Sequence, residues 1–245
     1  PLKMELKQGT YSLEILKDGY EVKKSELVVK EGEKAIPLNF FLVPETTHVP
    51  DMAFIPGGFF TMGREDGRED ERPSRKIYLS PYYIDIYEVS NAEYRKFLEA
   101  TGYPPPPFFN DERFNRPEQP VVGVTWEEAW AFCEWKGKRL PTEAEWEKAA
   151  RGAEGFLYPW GMEFDPTKTN ISGIRGGFEY TAPVDSLGEG KSPYGVFHLL
   201  GNAAEWVSDY YDPEYYKKIP LKNPKGPEVM MDRRVIRGGS WKTDE

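Results

Sequence analysis

The segment Gly137-Lys-Arg-Leu-Pro-Thr-Glu-Ala-Glu-Trp146 decides how the sequence around it folds. Thr142 and Glu145 have the spacing of a capping box, in which a hydroxyl and a carboxylate bind free backbone amides at the start of a helix. Trp146 opens an apolar face, and Gly152 follows as a stop signal. The spacing therefore predicts a short amphipathic helix between Thr142 and Gly152.

Two more helices are predicted by the same signals. The patterns Ser90-x-x-Glu93 and Thr125-x-x-Glu128 each open an apolar-periodic stretch, and these stretches stop at Gly102 and Gly137. Short strands are expected at Ile77 to Leu79, Tyr83 to Tyr87 and Val235 to Arg237. Since little regular structure is expected elsewhere, the pattern indicates a loop-rich α+β domain.

Composition supports a folded core and excludes several partners. Of the 245 residues, 39% are apolar and 15% aromatic, which suffices for a large core, and 23 glycines and 22 prolines indicate many turns. No stretch approaches the roughly 20 apolar residues of a membrane helix, so we expect no direct membrane insertion. The net charge of −9 disfavours nucleic acid as a partner.

Cysteine and histidine are scarce. The single cysteine, Cys133, forms no internal disulfide, and His48 and His198 are too few for a three-histidine iron site or a usual zinc site. Cys133 follows Trp130 by one helical turn on an apolar face, where an inert core thiol is the favoured interpretation. We assign no catalytic residue. The sequence starts at Pro1 and stops at Glu245 within a motif, so we expect a longer protein.

The first 44 residues differ from the rest. Tyr11, Leu13 and Ile15 alternate with polar residues, a turn follows at Asp18-Gly19, and the two-residue period continues through residues 27–29 and 36–40. This pattern predicts a small all-β module over residues 1–44. It resembles the PEGA module, a short β domain of bacterial envelope proteins and signalling kinases. Residues 45–50 form the predicted linker, and the main domain is expected at 51–245.

Eight segments carry a second resemblance, in one consistent order along the main domain. They are Phe54-Ile-Pro-Gly-Gly-Phe-Phe-Thr-Met-Gly63, Tyr83-Ile-Asp-Ile-Tyr-Glu-Val-Ser-Asn-Ala-Glu-Tyr94, Pro120-Val-Val-Gly-Val-Thr-Trp126, Gly137 to Trp146 as above, Ala149-Ala-Arg-Gly152, Tyr158-Pro-Trp-Gly161, Gly201-Asn-Ala-Ala-Glu-Trp-Val-Ser-Asp209 and Arg237-Gly-Gly-Ser-Trp241. Together they resemble the formylglycine-generating-enzyme, or sulfatase-modifying-factor, family. The resemblance implies the C-type-lectin-like fold of that family.

The catalytic residues of that family are not all matched. Its active members resemble one another in two cysteines that hold copper and lie after the Gly-Gly-Ser-aromatic motif, and the position that aligns with the first is Thr243. A threonine hydroxyl does not ionise near neutral pH and is a poor ligand for soft copper. The second position lies beyond Glu245. We therefore expect no copper, and the sequence argues against catalysis.

The resemblance also implies calcium. One family site aligns with His198 to Glu205, where Gly201 and Ala203 would offer carbonyls and Glu205 a carboxylate, which are the hard oxygens that calcium prefers. His198 stands where the family has an oxygen side chain. A second site would use Asn170, Ile171 and Phe178, but Gly176 falls near the place of its aspartate.

Aromatic residues suggest a ligand surface. Tyr210, Tyr211, Tyr215 and Tyr216 are expected in a surface loop, and Trp241 is a further candidate for the ligand surface. Trp126, Trp130, Trp146 and Trp206 fall in motifs that indicate a core.

Three functions follow from these observations. The favoured hypothesis is a non-catalytic recognition domain for a protein, peptide or glycan, and a hypervariable ligand-binding protein of a diversity-generating retroelement is a special case of it. The alternatives are a formylglycine-generating oxidase, if a tail beyond Glu245 supplies the cysteines, and a regulatory arm of a signalling kinase. A prokaryotic cell envelope is the favoured location and the cytoplasm the alternative.

Overall fold

The computed structural model describes residues 6–17, 20, 22–32, 42, 49–172 and 177–243. The chain divides into two compact units, Pro1–Pro50 and Asp51–Glu245. Among the described residues, no helix has the length and apolar character that crossing a membrane requires.

The first unit contains an antiparallel hairpin. Strand β1 (Gly9–Ile15) pairs with β2 (Lys23–Val29), and Tyr11 lies opposite Leu27. Half-buried and exposed residues alternate along β1, as the two-residue period predicts. The predicted turn at 18–19 and the predicted strand at 36–40 lie outside the described residues.

The described residues of the second unit form three two-stranded antiparallel sheets. Strand β3 (Met52–Ile55) pairs with β6 (Tyr82–Asp85), β4 (Gly58–Met62) with β5 (Arg75–Leu79), and β7 (Glu205–Tyr210) with β8 (Arg234–Arg237). The strands predicted within β5, β6 and β8 are thus present, with bounds that differ by two residues or fewer at each end.

Within residues 51–172 and 177–243 the structure also has four α-helices: α1 (Asn91–Thr101), α2 (Trp126–Trp135), α3 (Glu143–Arg151) and α4 (Tyr215–Lys218). The caps of the three predicted helices are confirmed. The hydroxyls of Ser90, Thr125 and Thr142 each accept a backbone N–H three residues later, and full capping boxes form at α2 and α3. Short 3₁₀ turns lie at Glu69–Glu71, Pro166–Lys168 and Gly188–Gly190. The result is the predicted α+β domain with much ordered loop.

Helix α3 lies between two apolar clusters. Trp146 and Ala149 on one side pack with residues of β3, β7 and β8, including Ile55, Val207 and Val235. On the other side Ala144 joins the cluster that β4, β5 and α4 form. A third cluster joins α1 to α2 through aromatic rings: Tyr94, Phe97, Phe109 and Phe132.

The polar face of α3 is buried as well, and its carboxylates pair with basic side chains. The guanidinium of Arg237 at the end of β8 lies 3.4 Å from Glu143 and 3.3 Å from Glu147. Glu147 also accepts the backbone N–H of Gly63 at 2.8 Å and bonds to Arg151. Burial raises the pKa of Glu143 to about 7 although Arg237 opposes the shift. Charge pairing therefore ties α3 to β8 and to the end of β4.

Removal of Arg237 should destabilise the domain. An Arg237→Met variant leaves Glu143 without its cation and Glu147 with Arg151 alone. Breaking a buried pair from one side costs roughly 3 kcal/mol or more. Equilibrium urea unfolding measures the change. Arg233→Met is the matched control, because Arg233 is exposed four residues away and only its carbonyl is used, by Tyr211 N. Equal stability of the two variants would contradict the role of this network.

Candidate functional site

Two loops that the sequence predicts as calcium-binding meet in the structure. Asn170 forms a parallel bridge with Gly201, and its carbonyl accepts the N–H of Asn202 at 2.8 Å. Gly201 has φ +82°, and a Cβ there would lie 2.4 Å from the Asn170 carbonyl oxygen and 2.6 Å from Thr169 Oγ1. Only glycine fits between the loops.

Asn202 organises this junction. It is fully buried with φ +59°, and its Oδ1 accepts N–H groups from Ala182 at 2.7 Å and Asn170 at 3.1 Å. Its Nδ2 donates to Glu88 at 2.5 Å. Because donor and acceptor partners are both specified, the side-chain amide has one orientation.

Two carboxylates face each other beside Asn202. Glu205 opens β7 and accepts the Trp146 indole N–H at 3.1 Å, and burial raises its pKa to about 7. Burial, and then repulsion by Glu205, raise the pKa of Glu88 well above its ordinary value. No basic side chain of the described residues forms an ion pair with either carboxylate. Sequence reasoning missed Glu88, although it lies within a quoted motif.

The donor set fits a hard cation such as calcium. Within the described ranges, the carbonyls of Gly201 and Ala203 receive no hydrogen bond, whereas those of Leu200 and Asn202 are occupied by Thr169 Oγ1 and Trp241 N. Carbonyl and carboxylate oxygens are what calcium takes. No group of three or more His, Cys, Asp or Glu side chains in the described part could hold a metal, so main-chain oxygens must supply the remaining ligands.

His198 does not belong to this donor set. Its ring nitrogen Nε2 lies 3.2 Å from the Pro183 carbonyl, and burial lowers its pKa to about 4, so the ring is neutral. It is a structural residue with φ +52°.

The second predicted calcium site is only partly described. Asn170 and Ile171 are buried, and Asn170 Oδ1 has no hydrogen-bond partner among the described residues. Phe178 is half-buried. Gly176 lies outside the described residues. A buried oxygen that serves as a cation ligand needs no hydrogen-bond donor, which would account for the unpartnered Oδ1 of Asn170.

Thr243 and Cys133, the two residues considered for catalysis, are both in settings that do not favour a reactive group. Thr243 Oγ1 accepts the N–H of Ser240 at 2.8 Å and so closes a turn after the Gly-Gly-Ser-Trp motif. Cys133 lies in α2, where burial raises the pKa of its thiol to about 11. Neither group supplies a thiolate at neutral pH.

A cavity of about 400 Å³ lies beside the junction. Glu88, Ala203 and Glu205 line it, together with strand β6 and Cys133. Asp85 on its wall is already paired with Lys138, at 2.5 Å. The carboxylates of Glu88 and Glu205 have no ion-pair partner among the described residues. They face the solvent of the cavity, although protein encloses them on the other sides.

The three candidate ligand-surface residues lie in different settings. Tyr210 and Trp126 contact the guanidinium of Arg234, whose carbon is 3.4 Å and 3.6 Å from their ring centroids. The hydroxyl of Tyr211 donates to Asp70 at 2.9 Å. Trp241 packs on Phe114, with ring centroids 5.1 Å apart. All three are half-buried, and their role as a ligand surface stays a prediction.

Three further aromatic predictions were wrong. Tyr215 and Tyr216 lie in α4 and are buried, because their rings fill the cluster between α3 and the β4–β5 sheet. Trp130 is exposed and stacks on Trp126, since α2 turns that part of its face outward. Trp146 is in the core, as predicted.

The fold and the site define a loop-rich α+β domain in which a junction of two loops at Gly201 lies beside the carboxylates of Glu88 and Glu205. Residues 40–245 match the family described as the sulfatase-modifying factor enzyme 1-like domain. The chain belongs to this family.

The curated proteins that resemble this chain in sequence have names that indicate different functions. The chain is 34% identical to the formylglycine-generating enzyme of Bos taurus, over 81% of this chain and 66% of that protein. It is 33% identical to the inactive C-alpha-formylglycine-generating enzyme 2 of Mus musculus, over 78% and 74%. It is 35% identical to the serine/threonine-protein kinase pkn1 of Chlamydia caviae, over 89% of this chain but 36% of the kinase. The chain thus spans about two thirds of the bovine enzyme and about a third of the kinase.

Solved structures confirm the fold. PvdO from Pseudomonas aeruginosa superposes with a TM-score of 0.68 at 28% identity, covering 78% of this chain and 82% of that one. Variable protein 1 of Treponema denticola has a TM-score of 0.64 at 22% identity, over 79% and 84%, and shows the fold alone.

Gly201→Ala tests the loop junction. We expect a loss of stability well above that of Gly137→Ala, the control. Both residues have positive φ, which costs a side chain roughly 1–2 kcal/mol, but a Cβ at Gly137 meets nothing within 4 Å. Thermal or urea unfolding measures both variants. Equal losses would show that the contact with Asn170 imposes no constraint.

Alkylation tests the environment of Cys133. Because the raised pKa leaves little thiolate, iodoacetamide should modify the native protein at pH 7.5 about tenfold or more slowly than the same protein in denaturant. Mass spectrometry follows the reaction. Modification of the native thiol as fast as the unfolded one would contradict the inert assignment.

Proposed function

We propose that this domain is a non-catalytic recognition module on the sulfatase-modifying-factor scaffold, with a protein, peptide or glycan as its ligand. The observation that carries this proposal is Thr243. It occupies the position that aligns with the first catalytic cysteine, and its hydroxyl is already engaged by Ser240 N in a local turn. Cys133 offers no replacement, because its thiol is held neutral in α2.

The family supports a non-catalytic use of the scaffold. One relative is itself named an inactive formylglycine-generating enzyme, and the variable protein of Treponema denticola shares the fold. Such relatives make ligand binding without oxidation a reasonable function for this chain. The first unit, with its PEGA-like pattern, would then serve as a spacer, and a prokaryotic cell envelope would be a suitable location.

We also propose that calcium binds at the loop junction, through the carbonyls of Gly201 and Ala203 and the carboxylate of Glu205. Calcium would supply charge that neutralises the carboxylate and fixes the loop conformation. A weaker proposal extends to Asn170 and Ile171, supported by the unpartnered Asn170 Oδ1. In this function the metal is structural, so the domain needs no copper.

A second candidate is a regulatory arm of a signalling kinase. It is favoured by the pkn1 relative, which aligns with 89% of this chain but is much longer. The two candidates are compatible, because a recognition module can serve as the sensing part of a kinase. The third candidate, an oxidase, requires cysteines outside this sequence.

The decisive assay uses the native full-length protein. It is incubated with copper(I), reductant, oxygen and a cysteine-containing peptide of the kind that formylglycine-generating enzymes convert, with the bovine enzyme as positive control. We expect no conversion of thiol to aldehyde by peptide mass spectrometry and no stoichiometric copper. Conversion above a no-enzyme blank would overturn the non-catalytic assignment and establish the oxidase.

A further inference from the structure

Glu88 lies outside the set of ligands that the family resemblance implies, yet the structure places it at the loop junction. It follows β6 and precedes α1, 115 residues before Ala203 in the chain. Its Oε1 accepts the backbone N–H of Ala203 at 3.0 Å, and its Oε2 accepts Asn202 Nδ2 at 2.5 Å. One side chain thus holds two successive residues of the predicted calcium loop.

The bond from Ala203 N to Glu88 fixes the peptide unit between Asn202 and Ala203, whereas the peptide unit before it is held by the bond from Asn202 N to the Asn170 carbonyl. Since the Ala203 N–H points to Glu88, the carbonyl of the same peptide unit, that of Asn202, points the opposite way, where Trp241 N donates to it at 2.9 Å. Leu200 O is likewise occupied, by Thr169 Oγ1 at 2.7 Å. The alternate carbonyls, of Gly201 and Ala203, receive no hydrogen bond from the described residues.

Charge gives the second line of argument. Glu88 and Glu205 line the same cavity, and no basic side chain in the described part of the molecule forms an ion pair with either. Lys138 and Arg139, which line the cavity, are committed to Asp85 and Glu145. A single carboxylate among carbonyls makes a weak calcium site, whereas a second nearby carboxylate raises its affinity.

We propose that Glu88 is the positioning residue of the calcium site: it holds the segment of Asn202 and Ala203 that lies between the Gly201 and Ala203 carbonyls, and it adds a second carboxylate beside Glu205. The inference rests on the calcium site proposed above. Partners that orient metal ligands typically change metal affinity 10–100-fold when they are removed.

Glu88→Gln is the informative variant. It keeps the size of the side chain and one oxygen for Ala203 N but removes the charge, and its NH₂ group would face Asn202 Nδ2. Asn202 cannot turn its amide over to compensate, because Ala182 N and Asn170 Nδ2 both donate to its Oδ1. Glu88→Asp keeps the charge and shortens the reach, so it should weaken binding less.

Terbium luminescence reads out the site directly. Trp146 donates to Glu205, so its indole lies close enough to transfer energy to Tb³⁺ bound there. We would titrate the full-length protein with Tb³⁺, displace it with Ca²⁺, and repeat this with Glu88→Gln, Glu88→Asp and Glu127→Gln. Glu127 is exposed on α2, which makes it a matched control. Circular dichroism checks that each variant is folded.

The expected result is sensitised emission from the native protein and the Glu127→Gln control, with calcium affinity lower by about tenfold or more in Glu88→Gln. Unchanged affinity in Glu88→Gln would overturn the role of Glu88 while leaving the calcium site intact. Absence of emission and of calcium-induced thermal stabilisation in the native protein would overturn both. If Glu88→Gln does not fold, Glu88→Asp decides, and native-like affinity in that variant overturns the proposal.

Discussion

The ion pairs of Arg237 with Glu143 and Glu147 are the interaction on which the second unit depends. Helix α3 buries apolar residues on two sides and cannot turn its carboxylates to solvent, so charge must be supplied from another element. Arg237 comes from β8, near the end of the sequence, and Glu147 also holds Gly63 at the end of β4. The network therefore fixes segments that are far apart in the chain around one helix.

Buried polar groups in the loops also need partners from other segments. A fold with short sheets leaves many buried backbone groups without ladder partners, and these groups must still be satisfied. Buried polar side chains provide the hydrogen bonds that these backbone groups need. Asn91 binds the carbonyls of Phe114 and Arg116, Lys148 binds that of Pro56, and Asn202 joins three segments at the loop junction. Polar residues in this core thus act as substitutes for sheet hydrogen bonds.

Local signals in the sequence predicted the helices well and the tertiary site in part. Capping at Thr125 and Thr142 depends on neighbours three residues away, so it can be read directly from the sequence. The family resemblance pointed to Gly201 and Glu205, but Glu88 reaches its partners across 115 residues, which no local pattern encodes. Tyr215 and Tyr216 were misjudged because their burial depends on the position of α3, and the sequence around them looks like a loop.

Three main-chain hydrogen bonds help to hold the turn from Ser240 to Thr243, in addition to the side-chain bonds of Ser240 and Thr243. Trp241 N donates to Asn202 O, Thr243 N to Ser240 O, and Ser172 N to Thr243 O, so these three bonds do not depend on which side chains are present. A segment held in this way can accept many different residues without losing its path. At this edge of the domain, the three main-chain bonds thus fix the path of the chain independently of the chemical identity of its side chains.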